Sequence, residues 1–159
     1  MYKKIPILLL AAVIHIAISP LLQASASGSR VHYVGGTDAA LTRKVNGVLD
    51  LGDNDALVFE CQGSTVRVPY GNINTVEYGQ NVKRRYVEAL LISPLLLMSK
   101  KRSHFLTLGF VDAEGHQQAM IFKVGSGDIR SLLVSIEART GRRVEFQDDE
   151  ARKDRKSVV

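Results

Sequence analysis

Four short runs in which apolar and polar residues alternate, KVNGVLDLG, DALVFECQG, STVRVPYG and NINTVEYG, follow one another between Lys44 and Gly79. A period of two is the signature of a half-buried strand, so this stretch predicts a four-stranded meander. Val45, Gly47, Leu49 and Leu51 share one face of the first run, opposite Lys44, Asn46 and Asp50. In the second, Leu57, Phe59 and Cys61 lie opposite Glu60 and Gln62; in the third, Val66 and Val68 continue the core face with Arg67 opposite. The turns carry Gly52-Asp53-Asn54-Asp55 and Gln62-Gly63-Ser64, which tolerate positive φ. Pro69 cannot donate to a ladder, so the third strand ends or lies at an edge there. Ile73, Val76 and Tyr78 form the fourth.

A second hairpin is expected at 104–124, with Asp112-Ala113-Glu114-Gly115 as its turn. Apolar residues fall on both of its faces, which predicts cover on both sides. After Gly125, either Ser126 or Asp128 is placed to cap a helix in which Ile129, Leu132, Leu133 and Ile136 recur at helical spacing, with Gly141 at its C-terminal stop. Val144 and Phe146 are placed for a short terminal strand, and residues 147–159 form a charged tail expected to be disordered. The fold class expected is mainly β with one C-terminal helix, a bent antiparallel barrel or roll occupying 43–146.

The N-terminus reads as an export signal. Lys3 and Lys4 precede an almost wholly apolar Ile5–Ile18 run, and Ala24-Ser25-Ala26 fits a small-x-small cleavage site. Residues 1–26 are therefore expected to be a signal peptide, and the protein to be periplasmic or secreted, with membrane association left open. Residues 27–42, polar and glycine-containing, read as a linker or loosely docked segment, with Val31 to Val34 able to form one short strand. Cys61 is the sole cysteine, so the exported domain has no internal disulfide and stands on its core alone. Without Lys3 and Lys4 only about +3 of the formal charge of +5 remains. That mild excess, with no interleaved aromatic platform, argues against nucleic acid as a partner.

The least ordinary stretch is 82–102. Lys83, Arg84 and Arg85 precede VEALLISPLLLMS, and Lys100, Lys101 and Arg102 follow it. The apolar run of about 13 residues is shorter than the roughly 20 a membrane-spanning helix needs. Three readings stay open: a helix packed over an open face of the sheet, a shallow membrane-inserting element whose flanking cations meet anionic head groups, and a partner-binding or self-associating surface. For either contact reading, Lys83, Arg84, Arg85, Lys100, Lys101 and Arg102 form an electrostatic collar around Leu91, Leu95, Leu96 and Leu97.

The G-V-L-D-L at Gly47 to Leu51, the V-P-Y-G-N-I at Val68 to Ile73 and the closing helix from Ile129 to Thr140 together resemble bacterial pleckstrin-homology-like (PH-like) and GRAM-like domains. The resemblance implies a bent antiparallel barrel plugged at one end by the helix, with open-end loops that contact lipids, peptides or proteins. That pattern has seven strands before the helix, against six counted here with a further one on either flank. Gly52-Asp53-Asn54-Asp55 is acidic where eukaryotic members carry a basic loop, so phosphoinositide specificity is not implied.

No constellation points to catalysis, a metal or a cofactor. Asp112, Glu114 and His116 read as turn residues, Cys61 as a core thiol, His104 as a strand residue facing Lys123, and Gly125-Ser126-Gly127 lacks the spacing of a phosphate loop. The function expected is a noncatalytic exported binding module acting on an anionic membrane surface or an envelope protein. The alternatives are a self-associating structural domain, joined as a homodimer, and a small cysteine or metal hydrolase.

Overall fold

A computed structural model of the chain describes residues 28–37, 41, 44–80 and 103–147. Eight strands, β1 (Gly28–Gly36), β2 (Val45–Asp50), β3 (Ala56–Cys61), β4 (Ser64–Pro69), β5 (Ile73–Gly79), β6 (His104–Val111), β7 (Gln117–Val124) and β8 (Glu145–Phe146), form one sheet, with helix α1 (Ile129–Thr140) between β7 and β8. The strand order is β4-β3-β2-β1-β7-β6-β5-β8. The sheet is open, with β4 and β8 as its two edges, and it is mixed, because β8 runs parallel to β5 while the other pairs are antiparallel. The expected class, mainly β with one helix, holds; of the expected bent antiparallel barrel or roll, the described residues show a sheet that is not closed, and the two-residue β8 departs from a purely antiparallel pattern.

The largest correction concerns residues 27–42. What reads as a linker or loosely docked segment contains β1, hydrogen-bonded to β2 on one side and β7 on the other. Val31 and Tyr33 are buried in the core, and Leu41 joins them. Ser29 and three glycines dilute the apolar pattern of β1, and a bulge between Tyr33 and Gly35 breaks its period of two. Its place in the sheet comes from two long-range ladders, which no local pattern announces.

The inner face carries the core. Phe59 on β3 reaches across to Phe122 on β7, with ring centroids 5.0 Å apart, and Tyr33 lies within 6.1 Å of one and 5.8 Å of the other. β3 and β7 are three places apart in the sheet, roughly 14 Å if it were flat. The sheet must therefore curl around its contents. Gly47 makes room for this: Phe59 leans over it so closely that a Cβ there would sit 2.6 Å from the ring.

Helix α1 fills the hollow, burying Ile129, Leu132, Leu133 and Ile136 as its spacing predicts. Asp128 occupies the N-cap position but in a helical conformation, so its carboxylate does not cap; its carbonyl accepts from Leu132 N at 3.0 Å. The other end follows expectation, with Gly141 at φ 66° donating to the Glu137 carbonyl. Pro69 ends β4 at the sheet edge, and a single 3-10 turn at Tyr70–Asn72 leads into β5. Tyr70 locks that corner, its hydroxyl 3.2 Å from the Leu51 and Asp53 carbonyls.

Candidate functional site

Lys83, Arg84, Arg85, Leu91, Leu95, Leu96, Leu97, Lys100, Lys101 and Arg102 all lie outside the described residues. The structure describes where their segment is rooted. β5 and β6 are antiparallel neighbours, in constant register from Thr75↔Gly109 to Gly79↔Phe105 after a shift between Ile73 and Thr75, so Gln80 and Ser103 leave the sheet at the same end. A hairpin of this kind closes with two to five residues. Here 81–102 stands in place of that turn.

At this root Tyr78 and His104 are locked together. The Tyr78 hydroxyl lies 2.6 Å from His104 Nδ1, and the rings stack at 5.9 Å with 13° between their planes. Phe146 meets Tyr78 edge-on at 5.9 Å. His104, expected near Lys123, lies one place along from it: His104 is opposite Val124, and Phe105 faces Lys123. That shift turns His104 inward and Phe105 to the second face of the sheet, since neighbouring residues alternate.

The second face, turned away from α1, is not an ordinary solvated surface. Across it run Glu77, Thr107 and Ile121 as direct neighbours on β5, β6 and β7. Phe105 stands in the next row, and Val34 sits at the bulge of β1 beside Gly35, the partner of Ile121. Glu77 and Ile121 are 0% exposed, Thr107 1%, Phe105 3% and Val34 4%, yet Val34, Phe105 and Ile121 are not part of the core beneath α1. Cover on both sides of the β6–β7 hairpin is thus observed. Glu77 receives Gln147 Nε2 at 2.7 Å, and Thr107 Oγ1 has no hydrogen-bond partner among the described residues.

The remaining reactive side chains have structural work. Cys61 packs partly buried against the core with Sγ 3.5 Å from the Ser64 carbonyl. Asp112 shapes the β6–β7 turn: Oδ1 accepts from Glu114 N at 3.0 Å and His116 N at 2.7 Å, and Oδ2 accepts from Gln118 Nε2 at 2.7 Å. Glu114 and His116 contribute backbone to this turn, which is how the sequence reads. Among the described residues, no group of three His, Cys, Asp or Glu side chains is placed to share a metal ion. His32 Nδ1 lies 2.8 Å from Asn46 Oδ1 on the neighbouring strand.

A groove of about 280 Å³ lies between the start of the sheet and α1, lined by Ser29, Leu51, Ser131, Ser135 and Arg139 among others. Its one cation is already engaged, with the Arg139 guanidinium 5.8 Å over the Tyr70 ring and Nη1 3.3 Å from Asn54 Oδ1. No protein-family model matches the chain, and no curated protein matches it.

Two carboxylates give the fold an acid limit. The Gln118 amide and the turn N–H groups hold Asp112 below the usual carboxylate range, and the Asp55 N–H followed by Arg67 does the same for Asp53. A depressed folded pKa contributes stability that is present above the unfolded value of about 3.9 and lost as pH falls through the folded pKa. Asp112→Asn should therefore flatten the decline of Tm below about pH 4. Thermal melts between pH 2 and 6 check this, and an unchanged acid slope would refute the role given to Asp112.

Proposed function

We propose that the chain is an exported, noncatalytic binding module of PH-like type that acts at an anionic membrane surface through the apolar 87–99 run and its collar of Lys83, Arg84, Arg85, Lys100, Lys101 and Arg102. The observation that carries this reading is the position of the segment. It interrupts a hairpin that is paired without a break from Thr75↔Gly109 to Gly79↔Phe105 at one end of the sheet, where a short turn would close the strands equally well. Long connections in compact domains tend to be functional elements displayed on a rigid scaffold. The PH-like part of the reading is supported by β1, which brings the strands preceding the helix to seven, and by α1 filling the hollow of a curled sheet.

Six cations near an anionic surface contribute about 1 kcal/mol each and lose most of that at high salt. The chain from Ser27 should then float with vesicles containing anionic lipid and not with neutral ones, and the bound fraction should collapse as salt rises. Replacing residues 87–99 by a Gly/Ser linker should abolish flotation while leaving the unfolding transition in place. Absence of flotation by the intact chain would sink the membrane reading. The segment would then be tested as a protein-binding or self-associating surface by measuring size in solution with and without detergent. Export has its own readout, since the cellular protein should begin at Ser27.

A further inference from the structure

We propose that the second face of the sheet meets the anionic lipid surface directly, through Arg30 on β1 and Lys123 on β7. The proposal rests on the membrane reading of 87–99 and adds to it the flank on which the domain lies. Register draws one row across five strands, Gly79, Phe105, Lys123, His32 and Asn46, each the direct partner of the next. The row starts at the last residue of β5, where the chain leaves the sheet toward 87–99. Val31 and Tyr33 on β1 and Phe122 and Val124 on β7 belong to the core, so alternation sets Arg30, His32 and Lys123 on the second face. Arg30 precedes His32 by two residues, which puts it roughly 8 Å from Lys123 at the backbone.

Both cations are uncommitted. Arg30 is exposed and Lys123 half-buried, and neither side chain has an ion-pair or hydrogen-bond partner among the described residues. Arg67 and Arg142 are instead engaged within the fold, with Asp53 at 2.8 Å and the Ile73 carbonyl at 3.3 Å. His32 stands between the two cations, its Nδ1 held 2.8 Å from Asn46 Oδ1. The carboxylates of this face stand outside the row: Asp50 lies opposite Gly28 and accepts from Gly52 N at 2.8 Å, Glu60 is on β3, two strands from β1, and Glu77 is buried. Cations without acidic partners suit a layer of spread negative charge, and distance selects the lipid. Lys123 is two strand spacings from Gly79, roughly 10 Å, so a bilayer reached from that root is about one Debye length away. Two cations alone do not hold a protein on a vesicle, since stable attachment takes an apolar signal as well. Loss of flotation without 87–99 is therefore still expected.

Binding of the exported chain, from Ser27, to vesicles of mixed phosphatidylglycerol and phosphatidylcholine, measured by sedimentation, tests this. Each cation brought to the surface contributes a factor of about five, so Arg30→Gln with Lys123→Gln should weaken binding about 25-fold and leave the unfolding transition unchanged. The matched pair Lys44→Gln with Arg143→Gln removes the same charge from exposed positions at the other end of the sheet, before β2 and beside the Arg142 that bonds Ile73, and should weaken binding only a few-fold. Equal losses from the two pairs, or no loss while the unaltered chain still binds, would overturn the contact and spare the membrane reading. Failure of the unaltered chain to bind would overturn both. A second measurement needs no substitution: vesicles should protect Lys123 from acylation by a soluble reagent more than Lys44, and equal modification of Lys123 with and without vesicles would overturn the contact.

Discussion

A chain that begins after Gly36 is expected to show no cooperative unfolding transition, whereas a chain beginning at Ser27 keeps one. Among the described residues, β1 is the strand that joins the β4-β3-β2 half of the sheet to the β7-β6-β5-β8 half. Removing it strips ladder partners from β2 and β7 at once and takes Val31 and Tyr33 out of the core. Deleting a single large core side chain already costs about 3–5 kcal/mol, against a total stability of about 5–15 kcal/mol for a domain. Loss of Tyr33 and Val31 together with two ladders exceeds that margin. Circular dichroism melts and urea titrations of the two chains decide the matter. A sharp transition in the shorter one would mean that residues 28–36 are the tether their composition suggests.

Phe59→Ala is expected to destabilise the protein by about 3–5 kcal/mol. Phe59 is wholly buried and is the ring through which β3 meets β1 and β7 across the hollow. Truncation would remove its apolar area together with its tilted contact to Tyr33 and its edge contact to Phe122. Because Phe59 lies over Gly47, the gap meets no side chain on the glycine's side. The urea midpoint should fall with little change in slope. Val134→Ala, at a position 65% exposed on α1, is the control and should change stability by no more than about 0.5 kcal/mol. A loss near 1 kcal/mol for Phe59→Ala would contradict the three-ring contact.

Glu77 is a residue that the sequence did not single out. In the run NINTVEYG it stands between Val76 and Tyr78. It is completely buried, on a face whose other members come from β1, β6 and β7. The signal present in sequence was indirect: apolar residues on both faces of the 104–124 hairpin, which demand cover on both sides without saying which polar neighbours share it. His104 shows the same limit on a smaller scale. A one-residue difference in hairpin register decides whether it meets Lys123 or Val124, and with it which face it occupies.

β2 to β7, α1 and the Gly141 stop were legible in the amino-acid sequence because each is written in a local period of 2 or 3.6 and closed by a turn residue. The turn roles of Asp112 and Glu114 were legible for the same reason: their hydrogen bonds span two to four residues. The central place of β1, the open strand order, the parallel β8 and the burial of Glu77 were decided by tertiary structure alone. Each depends on which distant segments pair, and that outcome is set by how much apolar surface the whole chain can bury at once rather than by any single stretch.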